Sequence, residues 1–228
     1  MPLTFFRKAS GSINGPPTDD IVKPAHVRFL DYEVEIGVVI GRALPVGTTL
    51  NESDLPDYVA GLVVTNDVSA RDIQLPKTQF YEAKSYPTFT PPVGPALVLM
   101  DADELKRFSD LRLQLRVNGE LRQDAVVGGD MIYPPPLRAL QELIRFQRLD
   151  AGDLVLTGTP AGTALSAPPK PIEMIGALLP PALKWKAFFK SQSKNVKYLK
   201  AGDVVEASVG TDDAAIDLGT QRAVVRYA

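Results

Sequence analysis

Cysteine is absent from this chain, and histidine occurs once, as His26. The first absence removes disulfides, zinc thiolate sites and thiol nucleophiles. The second argues against a histidine-rich metal site and against a Ser-His-Asp relay. Long apolar runs are also lacking. The longest, such as GPALVLM and IGVVIG, fall far short of the roughly 20 residues that a membrane helix needs, so no membrane partner is expected. Neither sign of charge dominates: 25 Lys and Arg stand against 27 Asp and Glu, which gives no reason to expect nucleic acid. The opening MPLTFFRKASGSINGPP turns polar and Pro/Gly-rich too early for a signal peptide. The expected location is therefore the cytoplasm.

What is present is an ordinary globular composition, 45% hydrophobic and 23% charged over 228 residues. That length supports one substantial core, and we expect a single domain over residues 1–228. Residues 1–28 read as extended or looped chain. Glu33 to Gly41 reads as a strand that becomes apolar on both faces, and Leu62 to Thr65 as a second buried strand. Asn51 to Ala60 reads as a short helix capped by Asn51 or Ser53. The clearest hairpin is LRLQLRV, then Asn118-Gly119, then the returning ELRQDAVV, with alternation on both arms of a two-residue turn. A helix is expected over Pro134 to Leu149, then a strand in LVLTGTP and two more in GDVVEASV and TQRAVVRY. Residues 164–199, proline-rich and then aromatic and basic, read as an insertion, helical around Leu183 to Phe189. We expect it to cap a site rim or an oligomer interface. Strands dominate without βαβα alternation, which favours a mainly β or α+β architecture with an antiparallel or mixed sheet.

Three acidic residues stand out within this frame. Glu33 and Glu35 lie two apart on the first strand and so point to one face, with Asp31 placed to join them. Two carboxylates held that close repel each other unless a cation lies between them. Asp67, at the end of the next apolar run, would complete an all-oxygen site for a hard divalent ion. The bland alternative is a pair of solvent-facing acids plus a turn aspartate. TGTPAG is glycine-rich but lacks the GK[ST] of a phosphate loop.

Seven segments in order, LDYEVEIGVVIG, YVAGLVVTNDVSARDIQ, AKSYPTF, PPVGP, VNGELRQDAVVGGDMIY, LDAGDLVLTGTPAG and LKAGDVV, resemble the fumarylacetoacetate hydrolase family. The resemblance implies a rolled mixed β-sheet with few short helices, of the fumarylacetoacetase C-terminal domain type, and a homodimer. It implies Glu33, Glu35 and Asp67 as ligands of a divalent metal, magnesium first, with manganese or calcium as alternatives. It assigns catalytic or substrate contacts to Lys84, Arg71 and Gln74, a substrate contact to Thr159, and a nearby position to Thr88. Arg71 could instead serve as an ion-pair partner of Asp72 or Asp67, and His26 reads as an ordinary loop residue.

The implied chemistry is hydrolytic cleavage of a C–C bond in a small oxo-dicarboxylic acid of the fumarylacetoacetate or acylpyruvate kind, through a metal-bound enolate. Decarboxylation or isomerisation of a related oxo acid uses the same centre, and a catalytically silent binding subunit is the rival outside enzymes. Aromatic or sugar-acid breakdown would supply such substrates. Family members usually carry an upstream GxNYxxHxxE-type element whose His–Glu pair activates water. The sequence as it stands holds no such pair, and its opening resembles the stretch that follows it. Another group would then activate water, or the chain is a shortened version, or hydrolysis is not its reaction.

Overall fold

The alternating LRLQLRV and ELRQDAV segments form the hairpin that their pattern predicts: β7 (Leu111–Val117) and β8 (Glu120–Val126) pair antiparallel. Asn118 and Gly119 both take positive φ, 52° and 80°, the geometry that favours Asn-Gly in a two-residue turn. In the computed structural model, residues 3–13, 20–77, 79–90, 94–130, 136–166, 174 and 178–228 are described. Strand β7 then pairs with β10 (Val204–Thr211), β10 with β11 (Asp217–Tyr227), and β11 lies parallel to β1 (Ile21–Lys23). The sheet order is β1-β11-β10-β7-β8. A second sheet, β6-β4-β3-β9, is antiparallel and comprises β3 (Val34–Ile40), β4 (Val59–Asn66), β6 (Val98–Leu99) and β9 (Leu154–Leu156). A two-stranded ribbon joins β2 (Leu30–Asp31) to β5 (Ser69–Ala70).

The two larger sheets share one core. Ile36, Val38, Leu62 and Val64 of the second are buried with Leu113, Leu115, Ala207, Val209 and Val225 of the first. Burial on this scale supplies the main driving force for the fold. The result is a mixed α+β fold with a sheet-rich core, as the resemblance implied.

Several boundaries moved, each for a tertiary reason. The expected helix over 51–60 shrinks to a 3-10 turn and the single turn Leu55–Tyr58, because β4 already starts at Val59. Asn51 does mark its start: the Asn51 amide donates to the Asp54 carboxylate at 2.8 Å. The helix expected to reach Leu149 runs over Pro136–Leu143; residues 134 and 135 of that expectation lie outside the described residues. Its downstream part turns away because Leu149 forms an antiparallel bridge with Leu44. In the expected insertion, a helix spans Pro181–Gln192, and Phe189 stacks on Phe29 with ring centroids 5.7 Å apart. Strand β1 lies in the segment read as extended or looped chain. Among the described residues, no helix is long and apolar enough to cross a membrane.

Candidate metal centre

The register of β3 against β4 builds the site. Glu35 pairs with Thr65, and just beyond the strand ends the Asp67 amide donates to the Glu33 carbonyl at 2.8 Å. Facing residues share one side of an antiparallel pair, so Glu33, Glu35 and Asp67 project together from alternate rungs, with Val34 and Asn66 between them. Each offers a carboxylate oxygen, and these oxygens lie within 4.8 Å of one another, all buried.

Cations surround them. Lys84, at the end of the turn Tyr81–Lys84, donates to Glu33 Oε2 at 2.5 Å and to Asp67 Oδ2 at 2.6 Å. Arg71 spreads its planar fork over three partners: Asp31 Oδ2 at 2.8 Å, Glu33 Oε1 at 2.5 Å and Gln74 Oε1 at 2.7 Å. Such a fork fixes direction as well as charge. Lys8 reaches in from the amino-terminal segment to Asp67 Oδ1, and to the Phe89 carbonyl at 3.0 Å. That segment is strapped down by the Ala9 amide on Ser85 Oγ and by the Ser12–Thr90 hydroxyl pair.

The proton affinities follow from burial and pairing. Burial alone would raise Asp67, but the Lys84 and Lys8 ammoniums outweigh it and hold the carboxyl below its ordinary value. Glu35 goes the other way, pushed well up by burial and then by Asp67 and Glu33. Among the described residues no lysine or arginine forms an ion pair with Glu35, whose Oε2 accepts the Gly158 amide at 2.8 Å. Burial would lower Lys84, yet Asp67 and Glu33 reverse this and raise it. Lys8 is lowered because burial exceeds the pull of Asp67.

The sequence profile described as fumarylacetoacetate (FAA) hydrolase C-terminal matches residues 1–226. The chain belongs to the fumarylacetoacetate hydrolase family. A relative in Bacillus subtilis, an oxaloacetate tautomerase, is 41% identical over 169 residues, 72% of this chain and 52% of that protein. The chain thus spans about half the length of the first curated relatives it matches. The crystal structure of a 2-hydroxyhepta-2,4-diene-1,7-dioate isomerase from Mycobacterium marinum has a TM-score of 0.69 at 28% identity, over 96% of this chain and 67% of that one. A fumarylacetoacetate hydrolase from Exiguobacterium antarcticum gives 0.73 at 31% identity, over 100% and 68%. Among these family relatives, a tautomerase and an isomerase stand beside a hydrolase.

In this family member, the residues expected from sequence fall into two groups. Glu33, Glu35, Asp67, Lys84, Arg71 and Gln74 are brought together and buried. Thr159 stands at the edge, its Oγ1 accepting from Gln123 Nε2 at 2.8 Å, next in the chain to Gly158 on Glu35. Gly158 has φ of +98°, a conformation that glycine adopts without the Cβ penalty. It turns the chain after β9 so that its amide meets the carboxylate. Thr88, at φ 71°, uses its hydroxyl to accept the Val22 amide at 2.8 Å, which ties it to β1. His26 is exposed and within 2.8 Å of the Tyr86 hydroxyl.

Asp31 does not join the carboxylate cluster. It takes the amides of Tyr32, Ala164 and Leu165 at 2.8, 2.7 and 3.0 Å together with Arg71. The two-residue periodicity fails here because β2 and β3 belong to different sheets. Arg71 accordingly pairs with Asp31 and Glu33 rather than with Asp72 or Asp67. Lys8 was invisible in the sequence: nothing in FFRKAS distinguishes it from a surface lysine.

Proposed function

We propose that the chain is a divalent-cation-dependent tautomerase that interconverts the enol and keto forms of a small 2-oxo dicarboxylic acid such as oxaloacetate. The observation that carries this reading is the convergence of Lys8 and Lys84 on the two oxygens of Asp67, inside the cluster of Glu33, Glu35 and Asp67. The donor set suits a hard cation: it is all oxygen, buried, and includes Glu35, whose carboxylate has no ion-pair partner among the described residues. Magnesium is the ion of choice, with manganese or calcium as substitutes. When bound, it supplies a Lewis acid that polarises the substrate's keto oxygen.

The other tasks fall to the chain's own side chains. Glu33, Glu35 and Asp67 hold the cation. Lys84 and Arg71 keep two of these carboxylates oriented, and their positive charge favours a dianionic substrate. Lys8, on a lowered proton affinity and at the edge of the cluster, is the group placed to hold and return a proton. In the forward direction the enol O–H bond breaks, the C=C pair takes up a proton at carbon, and C=O forms. One proton moves and no atom is gained or lost. Water is not a reactant, so the reading requires no His–Glu pair. The relatives named as an oxaloacetate tautomerase and a dienedioate isomerase support it.

C–C bond hydrolysis is the second reading, favoured by the match of the whole chain to a fumarylacetoacetate hydrolase. Product analysis separates the two. Enol-oxaloacetate and an acylpyruvate are each incubated with protein and Mg²⁺. The tautomerase reading expects faster loss of the enol ultraviolet band with recovery of all the oxaloacetate, and an intact acylpyruvate. Cleavage of the acylpyruvate into two acids with no effect on the enol would replace it by the hydrolase reading.

A further inference from the structure

The rungs that carry Glu33, Glu35 and Asp67 have a fourth member. Thr65 lies directly opposite Glu35 on the β3–β4 ladder and two residues before Asp67, so it occupies the same face as all three acids. Its exposure is 0%, and its Oγ1 is buried without a hydrogen-bond partner among the described residues. A buried hydroxyl is normally paired. Val63 and Val64 precede it in the strand, and valine would fill the same volume with no polar atom to satisfy. Nothing among the described residues meets that need, so the hydroxyl is open to a bound partner.

The surrounding hydrogen bonds indicate what that partner is. Both oxygens of Asp67 receive lysine ammoniums, and those of Glu33 receive Arg71 and Lys84. Glu35 Oε2 receives Gly158. Most acceptor capacity on this face is thus committed, whereas Thr65 Oγ1 remains available. A hard dication held by a few carboxylates keeps waters in its other positions. Each such water is a polarised donor that needs an acceptor beside it.

We infer that Thr65 is a positioning residue for the bound cation, its hydroxyl accepting a hydrogen bond from a water of the cation's hydration shell. The inference rests on the cation reading of Glu33, Glu35 and Asp67, and extends it to a residue whose role is to fix the hydration of the ion. Partners at this remove from a metal commonly change its affinity by about tenfold or more.

The test is calorimetric titration of Mg²⁺ alone into native protein, Thr65→Val and Thr65→Ser, alongside thermal unfolding without metal. Thr65→Val is expected to bind Mg²⁺ about tenfold more weakly, and Thr65→Ser close to native. Without metal, Thr65→Val is expected to melt at or above the native temperature, because a buried hydroxyl with no partner has been replaced by a methyl group. Relaxation of water protons by the Mn²⁺ complex should also differ between native and Thr65→Val, since it reads the hydration of the ion itself. Native affinity in Thr65→Val would overturn the inference and leave the cation site standing. Weaker binding accompanied by a lower metal-free melting temperature would assign Thr65 a packing role and overturn it too. Native protein that binds no Mg²⁺ would remove the cation reading first.

Discussion

Glu33 and Asp67 face each other across the ends of β3 and β4, and Lys84 joins their carboxylates at 2.5 and 2.6 Å. One ammonium thus holds together two acids brought near each other by strand register. In a buried setting the attraction is strong, and removing the cation leaves two acids short of compensation. Lys84→Ala is expected to destabilise the metal-free protein by roughly 3–5 kcal/mol, the usual scale for breaking a buried pair. Mg²⁺ should recover part of that loss. Urea denaturation with and without Mg²⁺ checks both statements.

Asp31 and Arg71 form the second buried joint, at 2.8 Å, and Asp31 also accepts the Ala164 and Leu165 amides. Asp31→Asn removes one of the two negative charges that Arg71 faces and replaces one acceptor by a donor. Expected is a stability loss of about 3 kcal/mol, with faster hydrogen exchange at the amides of residues 164 and 165. Unchanged protection there would show that Asp31 does not anchor this loop.

The pH dependence of the metal-free protein follows from Glu35 and Asp67. Glu35 is raised by burial and by Asp67 and Glu33, so the folded state keeps a proton that the unfolded chain has released. In the window between the ordinary value of 4.5 and its raised folded value, stability falls as pH rises. Asp67 is depressed in spite of burial by Lys84 and Lys8. Its contribution is present above its ordinary value of 3.8 and disappears as pH falls through the folded value. Melting temperatures across pH without metal should therefore decline above about 4.5, and Glu35→Gln should flatten that decline.

These relationships differ in how readable they were from sequence. The Glu33–Glu35 spacing and the apolar run ending at Asp67 were legible because strand periodicity and cross-strand pairing are local rules. Asn118-Gly119 was legible for the same reason. Asp31 was misread because the chain leaves one sheet for another between Asp31 and Val34, a change that periodicity does not report. The parallel strand Ile21–Lys23 is only 3 residues long, too short to show a pattern, and owes its existence to β11. Lys8 lies 59 positions from Asp67 in the chain, and only tertiary folding brings the two together.

Lys8 gives a direct test of the proton-carrier role. Lys8→Met keeps the length and apolar stem of the side chain and deletes the ammonium. The expected outcome is a fall in kcat for enol–keto conversion of about 10²–10⁴-fold, with Mg²⁺ affinity within a few-fold of native. Equal kcat in the variant would exclude Lys8 from the reaction.

The most direct measurement of the central claim is the rate of enol-oxaloacetate ketonisation as a function of Mg²⁺ concentration, in native protein and in Glu33→Gln and Glu35→Gln. Expected is a saturable, Mg²⁺-dependent acceleration by native protein, abolished by chelation and by either substitution in variants that still fold. An acceleration that survives chelation and both substitutions would contradict it.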